Sequence, residues 1–325
     1  MEKKYKFITH NNNDAYFNLA SEEYLLKQKD GFYLYLWINA PSVIIGVNQN
    51  AFKEVNLNYT KENNIKVVRR LTGGGAVYHD LNNVNYTVIA PYHESENLYK
   101  EFSQPIIEYL ATLGITAEFS GRNDILVDGK KISGNAQTVY NGRVMHHGTL
   151  LFNADTSVLS KALNPNKLKM ESKGIKSVRS RVANIKDCLK KTLTVTEFFN
   201  GLAQKFLLKS DEYVFTKQDI IAINKLRDEK YSTYEWNIGR SPKGSISFEE
   251  KFDFGVLTLT FNVKDGVMEE VDINGDFFSK KDMGELANKL NRTRFEKQAF
   301  LNAISDVGDY IVGADAKSIT DKLFN

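Results

Sequence analysis

The chain has 325 residues, of which 42% are hydrophobic and 26% are charged, so it can bury a sizeable core and is more consistent with two domains than with one. Its formal net charge of +3 is nearly neutral for this length, which argues against a general attraction to nucleic acid. The single cysteine, Cys188, excludes an internal disulfide and a cysteine-based zinc site. Because we find no signal-peptide core and no run of roughly 18 apolar residues, we expect a cytoplasmic protein without membrane contact.

The N-terminal third predicts helices that pack against strands in hairpin-like order. Asn13-Asp14 would cap a helix over residues 15–28, and Glu22 and Glu23 would begin the solvated face of that helix. The other elements expected here are strands over residues 32–38, 43–47, 65–71 and 86–90, and a helix over residues 96–113 that ends at Gly114. This mixture favours an α+β or mixed α/β fold over a regular βαβ array.

The rest of the chain predicts more elements and a second domain. The expected elements are a hairpin turn at Asp128-Gly129, a strand over residues 144–153, helices over 194–208 and 217–230, paired strands over 257–263 and 267–273, and helices over 280–290, 294–304 and 315–323. Residues 241–245, Ser-Pro-Lys-Gly-Ser, are the best linker candidate. We therefore predict a first domain over residues 1–242 and a small α+β domain over residues 246–325.

The most informative stretch is residues 68–80, Val-Arg-Arg-Leu-Thr-Gly-Gly-Gly-Ala-Val-Tyr-His-Asp. Consecutive glycines let a ligand approach main-chain N–H groups, and such concave backbone segments bind anions. Arg70, just before the glycines, could add bidentate recognition of a phosphate or carboxylate. A glycine bulge between two strands is the structural alternative, and the glycines alone do not decide between the two.

A second informative stretch surrounds the turn at Asp128-Gly129. Lys131 follows this turn, and the period of two in a strand would place Lys131 and Ser133 on one face. A lysine above the small residues Ser133 and Gly134 could bind a phosphate as a point charge. The alternative for Lys130-Lys131 is a solvated hairpin tip.

Other polar segments narrow the range of ligands and reactions that the sequence allows. His146 and His147 are neighbours on a predicted strand and point to opposite faces, so they do not form a metal site together. Residues 166–181 are strongly basic and could be a solvated loop, a nucleic-acid contact or a mobile loop that covers a phosphate. The common phosphate-loop, dinucleotide-binding and nucleophile-elbow motifs are absent. Arg70 with the glycines, Asn123-Asp124, Lys131 and the basic segment would together bind a carboxylate beside an α-phosphate, which points to acyl-adenylate chemistry.

Five motifs, in order, resemble the lipoate–protein ligase A family: residues 69–80, 121–124, 131–136, 147–151 and 173–181. The resemblance implies an α+β fold, with a class II synthetase-like biotin/lipoate ligase catalytic domain of mixed sheets and flanking helices and a small α+β C-terminal domain. It implies ATP-dependent activation of lipoate to lipoyl-AMP, with release of pyrophosphate, and transfer of the lipoyl group to a lysine. The expected acceptors are lipoyl domains of 2-oxoacid dehydrogenase E2 subunits or the glycine-cleavage H protein, and the expected state is a monomer.

The resemblance also implies the roles of individual residues. Lys131 would be the catalytic residue, and Asp124 would contact Mg²⁺. The ATP and lipoyl-adenylate site would comprise Arg70, Gly73, Gly74, Gly75, Ala76, Val77, Tyr78, Asn123, Asp124, Gly134, His147, Thr149, Val178 and Arg181. The lipoate tail would contact Trp37, Val47, Val77 and His79, although His79 and Asp80 could instead only lock their turn.

Two alternatives stay open at this point. A cysteine-dependent octanoyl or lipoyl transferase of the same fold would use Cys188 as its nucleophile. A non-enzymatic nucleotide- or RNA-binding module would instead be built on the basic segment, and its binding would depend strongly on salt.

Overall fold

A computed structural model of the protein describes residues 5–324 apart from residues 96, 122, 164–181, 241–245 and 265. Its strands are β1 (Tyr5–Thr9), β2 (Tyr33–Ile38), β3 (Ser42–Ile45), β4 (Lys66–Arg69), β5 (Val77–His79), β6 (Asn83–Pro91), β7 (Glu118–Ser120), β8 (Asp124–Val127), β9 (Lys130–Tyr140), β10 (Arg143–Leu151), β11 (Ser210–Glu212), β12 (Ile246–Phe252), β13 (Gly255–Lys264) and β14 (Val267–Gly275). Its α-helices are α1 (Ala15–Gln28), α2 (Ala51–Glu54), α3 (Leu57–Glu62), α4 (Leu98–Thr112), α5 (Thr156–Ala162), α6 (Val195–Leu207), α7 (Lys217–Leu226), α8 (Met283–Leu290), α9 (Lys297–Ala303) and α10 (Ala316–Leu323).

The N-terminal part is built on an eight-stranded mixed sheet with the strand order β11-β1-β2-β6-β10-β9-β8-β7. Side chains of α4 and α6 pack on one face of this sheet, and α1 and α7 pack on the other. A smaller sheet of order β4-β3-β5 has its own apolar cluster. The predicted mixture of hairpin-paired strands and flanking helices is therefore confirmed.

The C-terminal part has a separate core. Strands β12, β13 and β14 form an antiparallel sheet, and α8, α9 and α10 contribute to the same apolar cluster. Leu257, Leu259 and Phe261 of β13 enter this cluster, and the predicted return of the chain along β14 is confirmed. The predicted alternation is not seen in the burial, because Thr258 and Thr260 are buried as well and Val263 is exposed. No helix in the described ranges is both long and apolar enough to cross a membrane.

Helix α1 confirms its predicted bounds but not its predicted polar face. The Asp14 carboxylate accepts the Tyr16 N–H at 3.0 Å and so caps the helix. Glu22 and Glu23 are only 2% and 5% exposed, so the expectation of a solvated face is wrong. The reason is that α1 lies between the sheet and α7, where both carboxylates have polar or charged partners. Glu22 accepts the Thr87 hydroxyl and contacts the His147 ring. Glu23 pairs with Lys230 at 2.7 Å and with Lys27 at 3.0 Å.

The two parts touch at the triple-glycine loop. The Gly74 N–H donates to the Phe277 carbonyl at 3.2 Å, and the Gly275 N–H donates to the Asn48 carbonyl at 2.5 Å. The Asn48 amide also donates to Ser279 Oγ at 3.1 Å. The segment 275–279 of the C-terminal part therefore lies directly on the loop that carries the glycines.

Candidate active site

A cavity of about 300 Å³ opens where the triple-glycine loop and β5 lie over the α1 face of the large sheet. One row of cross-strand neighbours forms its floor, namely Trp37, Asn85, Thr149, Gly134 and Asp124. The row crosses five strands, and four spacings of about 4.8 Å make it about 19 Å long. The Asp124 end is charged, and the Trp37 end is closed by apolar side chains such as Leu19 and Ile44.

The three glycines of the loop have different surroundings. A Cβ on Gly73 would lie 2.4 Å from the Phe277 carbonyl oxygen, so Gly73 leaves room for the C-terminal part. Gly74 has a φ of +92°, which favours glycine, and lies on the Arg70 guanidinium. A Cβ on Gly75 would meet nothing within 4 Å. Of the three, only Gly75 therefore leaves open space on the cavity side.

Arg70 holds this loop in shape. Its guanidinium donates to the carbonyl oxygens of Ile44, Gly73 and Gly75 at 3.2, 2.6 and 2.9 Å, and its Nε donates to Thr72 Oγ1 at 2.9 Å. Four of the five N–H donors of an arginine are thus used within the described residues. Burial lowers the pKa of Arg70 to about 10, and the Glu22 carboxylate opposes this effect. Arg70 lines the cavity, but most of its donors bind the backbone.

The neighbouring Arg69 is 1% exposed and ties the segment around Trp236 to the small sheet. It donates to the carbonyl oxygens of Gly46, Val47, Gln49, Trp236 and Asn237. Burial lowers the pKa of Arg69 to about 9. Backbone carbonyl groups therefore take most of the hydrogen-bond donors of both arginines.

Lys131 lies at the charged end of the cavity. Its Nζ is 2.7 Å from the Asp124 carboxylate, and the two side chains are 35% and 34% exposed. A Cβ on Gly134 would lie 2.7 Å from this Nζ, so the glycine lets the lysine side chain lie along the strand. A substrate carboxylate or phosphate that enters here meets an ammonium group that is already positioned.

A bulge decides which residues share the face of Lys131. Leu126 pairs with Lys131 and Ile125 pairs with Ser133, so Ile132 is an extra residue in β9. Cross-strand partners share a face, so Ser133 turns with Ile125 toward the opposite core and Gly134 turns with Asp124 toward the cavity. The expectation that Lys131 and Ser133 share a face is therefore wrong.

Asn123 belongs to a set of amide contacts beside this end. Its Nδ2 donates to the Asn135 carbonyl at 2.6 Å, and Asn135 Nδ2 donates to the Asn123 carbonyl at 3.0 Å. Asn135 Oδ1 accepts the Tyr86 hydroxyl at 2.5 Å, and that hydroxyl is 3.2 Å from His146 Nε2. Burial lowers the pKa of His146 to about 3, so this histidine is neutral. These bonds hold the turn before β8 against β9.

His147 faces the opposite side from His146, as predicted, and joins a buried polar network. Its Nδ1 is 2.9 Å from Glu22 Oε1, and its Nε2 is 2.8 Å from Thr72 Oγ1. Glu22 Oε1 also accepts the Thr87 hydroxyl at 2.6 Å. Through Thr72 the network reaches Arg70, so one buried carboxylate faces one buried guanidinium across His147 and Thr72.

The far end of the cavity is mainly aromatic. Trp37 is 2% exposed, and its ring centroid lies 6.0 Å from that of His79 in an edge-on arrangement. Trp37 Nε1 donates to Thr87 Oγ1 at 3.0 Å. Asp80, by contrast, accepts the backbone N–H groups of Asn82 and Asp155 at 2.8 and 3.0 Å, so this carboxylate locks its turn.

Comparison with known proteins shows which family this chain resembles. The lipoyl protein ligase A/B catalytic domain matches residues 14–207, and the bacterial lipoate protein ligase C-terminus matches residues 241–323. Lipoate-protein ligase LplJ of Bacillus subtilis is 44% identical over 310 residues, which cover 93% of this chain and 94% of that protein. The chain belongs to the lipoate–protein ligase family. Lipoate–protein ligase 1 of Staphylococcus aureus is also 44% identical, over 88% of this chain and 89% of that protein.

Solved lipoate ligases have the same fold. LipL1 of P. falciparum, solved in complex with lipoate, has a TM-score of 0.77 at 27% identity and covers 98% of both chains. Lipoate-protein ligase A bound with ATP has a TM-score of 0.63 at 30% identity, over 74% of this chain and 99% of that chain. The predicted family and its α+β fold are confirmed.

The ligase cavity brings together many of the residues that the sequence singles out. Its lining includes Trp37, Arg70, Gly74, Gly75, Ala76, Val77, His79, Asn123, Asp124, Lys131, Gly134, His147 and Thr149. Gly73 lies against Phe277, and Tyr78 turns to the cluster of the small sheet because alternate residues of β5 face opposite sides. Val47 lines a separate cavity of about 220 Å³ between the two parts. Val178 and Arg181 lie outside the described residues.

Sequence reasoning missed other cavity residues of this ligase. Asp276 and Phe278 come from the C-terminal part and line the cavity, and Leu19, Ile44 and Asn85 line its apolar end. Only long-range packing brings these residues to the site. Asn85 carried a local signal, because asparagine is disfavoured inside a strand.

Cys188 does not belong to this site. It ends a short 3₁₀ turn, Ile185–Cys188, and its thiol is 3.6 Å from the Asn184 carbonyl oxygen. Burial, with Asp128 and Asp187 nearby, raises the pKa of the Cys188 thiol, which disfavours the nucleophilic thiolate. The cysteine-dependent transferase is therefore not favoured.

Proposed function

We propose that this ligase catalyses both half-reactions in the 300 Å³ cavity. In the first, a lipoate carboxylate oxygen attacks the α-phosphorus of ATP, the bond between the α- and β-phosphates breaks, and pyrophosphate leaves. In the second, the neutral amine of an acceptor lysine attacks the acyl carbon, the bond between that carbon and AMP breaks, and an amide forms as the nitrogen loses one proton to water. The reaction needs no covalent enzyme intermediate, which agrees with the position of Cys188 outside the site.

The position of Lys131 carries this proposal. Its ammonium group lies at the charged end of a cavity whose other end is apolar, and Gly134 beneath it keeps the path to the substrate open. A positive charge between the α-phosphate and the attacking carboxylate would stabilise the negative charge that accumulates in the transition state. In this scheme Lys131 transfers no proton.

Asp124 and Asn123 define the nucleotide side in this proposal. Within the described residues no cluster of three or more metal-ligating side chains occurs, so a metal here would take most of its ligands from phosphate and water. Mg²⁺ prefers this arrangement of one carboxylate with phosphates, and the Asp124 carboxylate fits it. Bound Mg²⁺ would supply charge neutralisation for the phosphates. Until nucleotide binds, the Asp124 carboxylate keeps the Lys131 ammonium in place.

The apolar end would hold the lipoate tail. Trp37, Val77 and His79 line it, and burial of an acyl chain against them contributes about 0.8 kcal/mol for each methylene. We also propose that Val178 and Arg181 bind the adenylate, and that residues 1–242 and 246–325 are the two functional units. The acceptors would be lipoyl domains of 2-oxoacid dehydrogenase E2 subunits or the glycine-cleavage H protein.

The deciding experiment measures lipoate-dependent release of pyrophosphate from ATP. Lys131→Ala should lower this rate at least about 100-fold because an electrostatic contact in the transition state is lost. Lys131→Arg should also be slow, since a planar guanidinium does not replace a compact ammonium above Gly134.

Lys130→Ala, at the exposed hairpin tip, is the matched control and should retain the wild-type rate. Wild-type-like release by Lys131→Ala would contradict the assignment. Oligonucleotide binding that falls steeply with salt, without lipoate-dependent release, would instead support a nucleic-acid-binding module.

A further inference from the structure

Tyr86 lies on the α4 face of the large sheet, on the opposite side from the cavity. Its neighbour Asn85 lines the cavity, and alternate residues of a strand face opposite sides, so the Tyr86 ring packs in the apolar cluster beneath α4. The residue is 1% exposed. Burial raises the pKa of the Tyr86 phenol, so the hydroxyl keeps its proton. A buried hydroxyl without an acceptor is costly, so the direction in which this proton points matters.

Gly148 brings Tyr86 into contact with Asn135, two strands away. In the sheet, Gly148 of β10 pairs with Tyr86 of β6 on one side and with Asn135 of β9 on the other. A Cβ on Gly148 would lie 2.1 Å from Asn135 Oδ1 and 2.6 Å from Tyr86 Cε1. Because the glycine leaves this space free, the two side chains meet across it, and the Tyr86 hydroxyl lies 2.5 Å from Asn135 Oδ1.

His146 fixes the direction of this hydrogen bond. Gln137 Nε2 is only a donor and lies 2.9 Å from His146 Nδ1, so this ring nitrogen accepts. Burial lowers the pKa of His146 to about 3, so the ring is neutral and its one proton is on Nε2. His146 Nε2 therefore donates to the Tyr86 oxygen at 3.2 Å. The Tyr86 hydrogen is left to Asn135 Oδ1, since the Ser103 hydroxyl is farther away, at 3.5 Å.

The Asn135 amide passes this orientation on to Asn123. With its Oδ1 turned to Tyr86, Asn135 donates from Nδ2 to the Asn123 carbonyl at 3.0 Å. The Asn135 main chain makes two more bonds to the same residue: its N–H donates to the Asn123 carbonyl at 2.9 Å, and its carbonyl accepts Asn123 Nδ2 at 2.6 Å. A flipped Asn135 amide would set its oxygen against the Asn123 carbonyl oxygen. Asn123 precedes Asp124, and both residues line the charged end of the cavity.

We propose that Tyr86 is a positioning residue for the nucleotide and acts through Asn135 on Asn123 and Asp124. This inference rests on the proposed function, because Asn123 and Asp124 are assigned there to the nucleotide side. Without the Tyr86 hydroxyl, either orientation of the Asn135 amide leaves a polar contact unmade, so the turn before β8 is held less firmly. The lipoate tail would bind at the apolar end of the cavity, away from this turn, so the affinity for lipoate should change little.

The test measures nucleotide affinity without turnover. The probe is α,β-methylene-ATP with Mg²⁺, titrated in a calorimeter, because this analogue cannot release pyrophosphate. Tyr86→Phe removes one oxygen atom and should weaken the affinity for the probe about fivefold, as expected for the loss of one orienting hydrogen bond. The affinity of the same variant for lipoate should stay within about twofold of the wild-type value.

Tyr109→Phe is the matched control. Tyr109 belongs to the same apolar cluster, is also buried, and donates its hydroxyl to the Phe198 carbonyl at 3.0 Å. Each substitution therefore removes one buried hydroxyl, but Tyr109→Phe should keep both affinities within about twofold. Unchanged nucleotide affinity in Tyr86→Phe, or equal losses for nucleotide and lipoate, overturns the proposal. A loss of nucleotide affinity in Tyr109→Phe as large as that in Tyr86→Phe overturns it as well.

A double-variant cycle tests whether the effect passes through Asn135. Asn135→Ala removes the amide that links Tyr86 to Asn123. In this background, Tyr86→Phe should weaken nucleotide binding no further, so the two losses should not add. Additive losses contradict the path from Tyr86 through Asn135.

A second measurement does not depend on the folding of a variant. Nitrogen NMR of the histidine-labelled wild-type protein should find the His146 proton on Nε2. A proton on Nδ1 would make Nε2 an acceptor for the Tyr86 hydroxyl, and it would refute the inference while leaving the ligase activity intact. The absence of pyrophosphate release with lipoate instead overturns the proposed function itself, and the inference falls with it.

Discussion

Glu22→Gln tests the buried network with an internal control, because the chain contains the same pair of residue types twice. Glu22 and His147 pair inside the protein, with side chains that are 2% and 9% exposed. Glu101 and His93 pair on the surface, with side chains that are 45% and 37% exposed. The two N–O distances are 2.9 and 3.0 Å, so the two pairs differ mainly in burial.

The expected cost follows from the contacts of one oxygen atom. Both Thr87 Oγ1 and His147 Nδ1 bond to Glu22 Oε1, so a glutamine oxygen at the same place keeps both bonds and loses only the charge. Each bond changes from charge-assisted to neutral at about 1 kcal/mol, so Glu22→Gln should lower the free energy of unfolding by about 2 kcal/mol. Glu22→Ala should cost about 4 kcal/mol, since two donors and the Arg70 charge lose their partner. Glu101→Gln should cost less than about 0.5 kcal/mol.

Urea unfolding at neutral pH, followed by tryptophan fluorescence, measures these differences. Both tryptophans, Trp37 and Trp236, belong to the N-terminal part, so the signal reports on the part that contains Glu22. If Glu22→Gln and Glu101→Gln destabilise equally, burial does not strengthen the Glu22 contacts and the reasoning is refuted.

Two further predictions concern the glycine loop and acid stability. Gly73→Ala should lower the free energy of unfolding in urea by about 1–3 kcal/mol, because the new Cβ would overlap the Phe277 carbonyl. Gly75→Ala should change that free energy by less than about 0.5 kcal/mol, since nothing lies within 4 Å of its Cβ position. Equal effects of the two substitutions would contradict the docking of the C-terminal part on Gly73. Burial lowers the pKa of His79 and of His146 to about 3 and that of His10 to about 4, so below the unfolded pKa of about 6.5 the unfolded chain binds more protons. These three histidines should therefore lower the stability by up to about 4 kcal/mol between roughly pH 7.5 and pH 5.5. His146→Gln should remove about a third of that loss in urea titrations at the two pH values, and an unchanged loss would contradict the reasoning.

Local chemistry made several elements predictable. Asp14 caps α1, and the turn at Asp128-Gly129 has positive φ values of 49° and 71°, as an aspartate–glycine hairpin turn requires. The return of the chain along β14 was predictable because the Asp265-Gly266 turn lies between two apolar runs. The short strands β1, β5 and β11 were not predicted, since three to five residues carry too little pattern and pair with distant partners.

For the candidate site, too, some properties were predictable from the sequence and others were not. The order of its motifs and the identity of Lys131, Asp124 and the glycines were readable from the chain, because those residue types carry their chemistry with them. The orientation of each group was not readable. The bulge at Ile132 turns Ser133 away from the cavity, and Arg70 donates to carbonyl groups that lie beside it only after folding.

Sequence alone determined the family, the helix caps, the hairpin turn and the residue types that adenylate chemistry needs, since these depend on neighbours within a few positions. Tertiary structure decided that Glu22 is buried and that Gly73 lies against Phe277 of the C-terminal part. Each of these depends on a partner far away in the chain. Burial and hydrogen-bond direction are properties of the assembled set of partners, and no single segment contains them.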